Sequence, residues 1–268
     1  MAVNPFDHVM DTNHWHISEA LKWGFHTPKI GPFQITKFML LQLLSAGLIL
    51  LIYVPIARRA RSGEPPRGFF QNTFESILTF MREQVAKPNI GHHDADKYVP
   101  FLWTMFLYVL FNNLLGMLPF FGAATASVST TGALALCAFG AIHIGGMAKM
   151  GVGRYLKTFV PHVEGPLFIR ILLTAIMVPI EIMGPFIKAF VLAVRLFANM
   201  FAGHTVSAVI LGFIVMAKAS SLFWPVTIGS ALMVTALSCL ELFVAFLQSF
   251  IFVFLTSLFI GSALHPAH

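Results

Sequence analysis

Between Tyr98 and Ala148 the chain carries no Asp, Glu, Lys or Arg. A water-exposed surface is rich in charge, whereas a bilayer requires runs of about 20 predominantly apolar residues to cross its hydrocarbon core. The stretch is too long for one crossing. It breaks at Pro119 and the FFGAATASVSTTG that follows, which predicts helices over about 99–118 and 132–147 joined by an outer loop at 119–131. A first span is predicted over 38–57, also without a charge. Charged residues make up 10% of the whole chain, against about 25% in soluble domains. The 28 Phe and 13 Met suit lipid-facing and packed helix surfaces. Gly and Pro are better tolerated in membrane helices than in soluble ones.

From Ile171 to Ile260 the chain is still apolar, but Glu181, Lys188, Arg195, Lys218 and Glu241 interrupt it. Two long helices are predicted, over about 168–216 and 223–264. They turn near AKASSLFWP, with Lys218 at headgroup level and Trp224 as an interfacial anchor. Helices of forty-odd residues are about 65 Å long, twice the bilayer core, and must tilt or break. Pro179, Gly184 and Pro185 are the available kink points. The fold class is thus an all-α membrane protein of about five helices. Its parts are an outer N-terminal segment at 1–37, a first span at 38–57, a cytoplasmic basic loop at 58–97, two spans within 98–148, a second cytoplasmic loop at 149–167, and a long-helix hairpin at 168–268.

The net charge of +6 comes largely from two basic stretches, Arg58–Lys97 and Lys149–Arg170. They flank apolar runs, so they read as positive-inside loops rather than a nucleic-acid surface. This puts the N-terminus outside and the C-terminus inside. The segment NHWHISEALKWGF reads as a short interfacial helix on the outer side. Its histidines suit a solvated helix face better than a metal site. Cys137 and Cys239 imply neither a disulfide framework nor a metal site. No Gly-rich phosphate loop or Ser/His/Asp constellation is present, and the N-terminus has no basic region leading into an apolar core, so neither nucleotide binding nor a cleaved signal is expected.

An ionisable residue midway along a membrane helix costs about 2.5–3.5 kcal/mol on insertion scales and points to function. Arg195, in FVLAVRLFANMFAGH, is that residue. Arginine also keeps its proton under any local field. Glu181, Lys188 and Arg195 recur every seven residues and form one polar stripe. Asn199 and the small Ala202 continue it, and small residues let another helix approach. On the last helix Glu241 and Gln248 are also seven apart. In an antiparallel hairpin turning near residue 222, Arg195 faces Gln248 and His204 faces Glu241. The second pair lies about 13 Å further toward the outer surface. A His beside a carboxylate can pass protons near neutral pH; it can equally hold the hairpin together.

At these residues the sequence resembles subunit a of F-type ATP synthases. RLFANMFAGH at 195–204 is similar to the family's signature around its essential arginine. NPFDHVMD at 4–11, NNLLGMLP at 112–119 and LQSFIFVFLTSLFI at 247–260 are similar to further family segments, in the family's order. The resemblance implies that Arg195 is the essential arginine, with Asn199 and Gln248 as polar neighbours. His204 and Glu241 would be the outer half-channel pair, with the two residue types exchanged relative to many bacterial members. Glu181 and Lys188 would line the inner half-channel. It also implies a ring of c-subunits and peripheral-stalk b subunits as partners, with no cofactor, metal or nucleotide on this chain. Departures are Ala189 in place of a proline, Gly184, Ile187 and Val191 in place of serines, and Thr125–Ser129 in place of a segment that holds an aspartate. Two rivals remain: a proton-coupled secondary transporter, which predicts inverted repeats that are not found, and a structural membrane anchor, which would not need Arg195.

Overall fold

The computed structural model describes residues 36–61, 68–118, 122–160, 167–218 and 221–265, together with the backbone of four short strands before residue 35. Five helices are long and apolar enough to cross a membrane. They lie within α1 (Lys37–Arg61), α4 (Ala95–Gly116), α5 (Val128–Met150), α7 (Leu167–Ala217) and α8 (Phe223–Leu264). The spans are all helical because a backbone crossing lipid must satisfy its own hydrogen bonds. Large apolar side chains point outward along them, such as Leu51, Phe190, Leu232 and Phe243, each about two-thirds exposed or more. In lipid this outward apolar face is the stable arrangement.

α7 runs unbroken for 51 residues with Pro179 and Pro185 inside it. At 1.5 Å per residue it is about 77 Å long, and α8, at 42 residues, is about 63 Å. α1, α4 and α5 begin or end a few residues away from the expected bounds. The N-terminal segment departs further. His14–Ser18 (β1) and Trp23–His26 (β2) pair as an antiparallel hairpin where an interfacial helix was expected, and Lys29–Ile30 (β3) pairs with Phe33–Gln34 (β4). The aromatic and β-branched content of HWHIS and WGFH favours strands over a helix. The stretch at 58–97 is also more ordered than a loop. It holds α2 (Phe69–Phe80), a π-helical turn (Met81–Ala86) and α3 (Lys87–Ile90). Residues 4–11, whose motif carries part of the resemblance, lie outside the described residues, as do the side chains of the N-terminal histidines.

The chain divides into two compact units. The first comprises Met1–Pro65, Phe106–Thr131 and Arg195–Phe250; the second comprises Pro66–Met105, Gly132–Val194 and Ile251–His268. In the first, a 3₁₀ turn at Ala124–Ala126 follows Gly122, whose φ of 81° suits only glycine. The turn is buried. Ala124 packs on Phe38 and Leu41 of α1, while Ala123 and Ala126 pack on Met200 of α7. The uncharged segment Ala123–Ala126 is thus folded into the protein. In the second unit, α6 (Val152–Lys157) starts at Gly151 (φ 82°) and lays Tyr155 back against α5.

Candidate functional site

Arg195 is exposed on α7, and among the described residues no hydrogen bond or ion pair holds its guanidinium. The same exposed face carries Val191, Val194, Ala198 and Ala202. Successive exposed positions three and four apart make one stripe, with small residues on one side of the charge. Leu192, Leu196 and Met200, on the opposite stripe, are buried. The helix therefore buries one apolar stripe and turns its arginine outward, the reverse of a charge kept in a bundle for packing.

The two pairs expected from the hairpin register fare differently. Glu241 of α8 meets α7 at Gly203: a β-carbon there would overlap the Glu241 carboxyl oxygen. The carboxylate thus occupies the space that glycine leaves, next in sequence to the half-buried His204. Oε1 of Glu241 is buried without a hydrogen-bond partner among the described residues. Arg195 and Gln248 are not joined. Gln248 is 3% exposed, and its Nε2 has no hydrogen-bond partner among the described residues. Asn199 is half-buried one turn beyond Arg195.

Behind Glu241 and Gln248 lies a polar brace that sequence reasoning passed over. Thr125 Oγ1 donates to Asn113 Oδ1 at 2.9 Å, and Asn113 Nδ2 donates to the Ala245 carbonyl at 3.4 Å. Both side chains are fully buried. Each such bond is worth about 1 kcal/mol, and losing one partner costs more because the other stays buried. Gln42 Nε2 donates to Thr130 Oγ1 at 2.8 Å. The first two bonds tie the 3₁₀ turn and α4 to α8 one turn along from Glu241, and the third ties α1 to α5. The Asn112–Asn113 pair in an uncharged span was the available signal.

The second unit holds Glu181 and Lys188. Both are exposed and line an open cleft of about 390 Å³, with His143 of α5, Tyr155 of α6 and Phe259 and Ser262 of α8. The Lys188 ammonium sits 5.0 Å from the centre of the Phe259 ring, a cation–π contact. Tyr155 is buried, and its hydroxyl meets Nδ1 of His143 at 2.5 Å. His143 and Tyr155 were missed from the sequence; a lone histidine in an uncharged span was the clue. At the end of this unit Asp94 bonds Lys149 at 2.8 Å and Lys97 at 3.0 Å. The hydrogen bond from Lys149, then that from Lys97, holds its carboxyl down at about 2. Arg82 grips Asp96 with two bonds of 2.7 Å. No group of three or more His, Cys, Asp or Glu able to hold a metal occurs among the described residues.

Residues 39–261 match the family described as ATP synthase A chain. The chain is 36% identical to "ATP synthase subunit a" of Myxococcus xanthus (strain DK1622), over 97% of this chain and 87% of that one. It is 41% identical to the protein of the same name from Anaeromyxobacter dehalogenans (strain 2CP-C), over 85% of this chain and 58% of that longer one. It is 37% identical to the one from Chloroherpeton thalassium (strain ATCC 35110 / GB-78), over 91% of this chain and 72% of that one.

Proposed function

Because the chain belongs to the ATP synthase A chain family, a non-catalytic membrane subunit of that complex, we propose that it is the stator subunit that loads and unloads protons on a ring of c-subunits. The observation that carries this is the outward placement of Arg195. A guanidinium on the outer face of a span is costly in lipid, and among the described residues no hydrogen bond or ion pair holds it. A carboxylate brought to it by a neighbouring helix would offset that cost, and Ala198 and Ala202 leave room for such a helix.

In this reading a proton from outside passes Glu241 and His204 and neutralises the ring carboxylate, which can then rotate through lipid. It leaves through the cleft lined by Lys188 and Glu181. Arg195 follows Lys188 and precedes His204 along α7. Its fixed charge lowers the pKa of a carboxylate beside it, favouring release, and repels a proton moving directly between the two paths. Asn199, half-buried one turn beyond Arg195, is the polar neighbour on this stretch. Each proton delivers about 2.3 kcal/mol per 100 mV. The N-terminus lies outside, the C-terminus faces the cytoplasm, and b subunits hold the chain against the turning ring. A structural anchor alone leaves the lone outward arginine without a purpose.

The test is Arg195→Ala in the whole complex in inverted membrane vesicles. ATP-driven proton pumping is expected to vanish while the variant still copurifies with a small two-helix ring subunit. Pumping at the unmodified rate overturns the proposal.

A further inference from the structure

We propose that His143 is a proton-accepting site of the inner cleft, held in place by Tyr155. This rests on the reading of that cleft as the inner proton path, and names a group in it that the arginine-centred pattern leaves out. A side chain at Gly146 would overlap the Tyr155 ring, so glycine lets the ring lie directly on α5. One turn earlier on the same helix face stands His143, and the tyrosine hydroxyl meets its Nδ1. Phe139, one further turn back, sets its ring edge-on to the imidazole with centres 4.0 Å apart. The imidazole is thus fixed by a hydrogen bond on one nitrogen and an aromatic wall.

The other nitrogen is the informative one. Nε2 of His143 is shielded by the protein and has no hydrogen-bond partner among the described residues, yet His143 lines the cleft that holds Glu181 and Lys188. A histidine kept only as a clamp needs one bonded nitrogen and is replaceable by any hydrogen-bonding side chain. A histidine that takes up protons needs a second nitrogen free of a hydrogen-bond partner. The hydroxyl of Tyr155 can accept from Nδ1–H, which leaves the lone pair on Nε2 and makes that atom the acceptor. On uptake Nε2 gains the proton and the ring becomes imidazolium; on passing it to water or to Glu181 the neutral tautomer returns. The titratable or charged groups lining the same cleft are Tyr155 from α6 and Glu181 and Lys188 from α7. From α8 come Phe259, Ser262 and Ala263, none of which titrates near neutral pH.

The experiment compares His143→Gln and Tyr155→Phe with unmodified complex in inverted vesicles, following ATP-driven pumping as the pH on the cleft side is varied. The unmodified complex is expected to show a pH inflection in its pumping rate that depends on the imidazole. His143→Gln keeps a partner for Tyr155 but cannot titrate, so it loses that inflection and pumps several-fold more slowly. Tyr155→Phe keeps the imidazole, so it retains an inflection, displaced in pH. An unchanged rate and profile in His143→Gln overturns the proposal. So does equal slowing in both variants with the profile intact, which marks a clamp, and so does failure of His143→Gln to assemble alongside a normal profile in Tyr155→Phe. Arg195→Ala run in parallel separates the two readings. If it still pumps, the inner path itself is wrong; if it is dead while His143→Gln behaves as unmodified, only the histidine is.

Discussion

The acidic side chains expected to carry protons sit in opposite settings in the two units. Glu241 in the first is wedged against Gly203, with a buried carboxyl oxygen and a braced polar layer of Asn113, Thr125 and Ala245 behind it. Glu181 in the second stands exposed at an open cleft, and Gly184 one turn on has nothing within 4 Å of where a side chain would go. One site fixes its acid by packing; the other leaves it exposed. A proton path through the first depends on the position of single atoms. A path through the second depends on the cleft staying wet.

The largest difference is expected between the two acids themselves. Glu241→Gln should lower ATP-driven pumping on the order of 10²-fold, the usual worth of a placed proton-transfer group. Glu181→Gln should lower it only several-fold, because water and Lys188 share the cleft. Pumping in inverted vesicles, normalised to assembled complex, decides this. Equal losses at both acids would break the contrast.

The glycines test the same contrast with a single methyl group. Gly203→Ala forces aside the Glu241 carboxylate, the far end of a flexible side chain, so the complex should assemble and pump roughly tenfold more slowly, a barrier change of about 1.4 kcal/mol. Gly184→Ala meets nothing within 4 Å and should pump at the unmodified rate. A harmless Gly203→Ala would show that the Glu241 position does not matter. A finer test exchanges the pair. His204→Glu with Glu241→His in one chain should recover more flux than either change alone, because contacting residues are not additive. A double variant no better than the singles would separate the two sites.

Part of this could be read from residue order. The uncharged run at 98–148, the long helices with five scattered charges, and the register bringing Glu241 toward His204 follow from length, polarity and helical period. The structure gives the five spans in those places and sets Glu241 against Gly203, the residue before His204 in the sequence. What stayed hidden depended on contacts between distant segments. Nothing in FFGAATASVSTTG says that Thr125 will be buried on Asn113, since an uncharged small-residue loop suits solvent and protein interior equally. Gly203 and Gly146 matter for what fills their empty space, Glu241 and Tyr155, and no local pattern marks that. The hairpin at His14–His26 was misread because EALK favours a helix while the flanking HWHIS and WGFH favour strands. The hydrogen bond expected between Arg195 and Gln248 is absent among the described residues. Gln248 faces inward and Arg195 outward, and a one-dimensional pairing cannot separate the two.

The smallest expected effect lies in the ion pairs of the second unit. Asp94 accepts from Lys149 and Lys97, and Lys149 also reaches Nε2 of His265 at the end of α8, 3.1 Å away. These bonds hold the Asp94 carboxyl down from 3.8 to about 2. A carboxyl depressed in the folded state adds stability above its unfolded value, and that contribution fades as pH falls through the folded one. Asp94→Asn should therefore lower the melting temperature of the purified protein by roughly 1–3 °C at pH 7. The gap between variant and unmodified protein should hold down to about pH 4 and close by about pH 2. A gap that stays constant to pH 2 would mean that the aspartate acts by its shape alone. A gap above 5 °C would mean that the surface of the second unit is as tightly determined as the packed surroundings of Glu241, and the contrast between a packed acid in the first unit and an exposed one in the second would no longer hold.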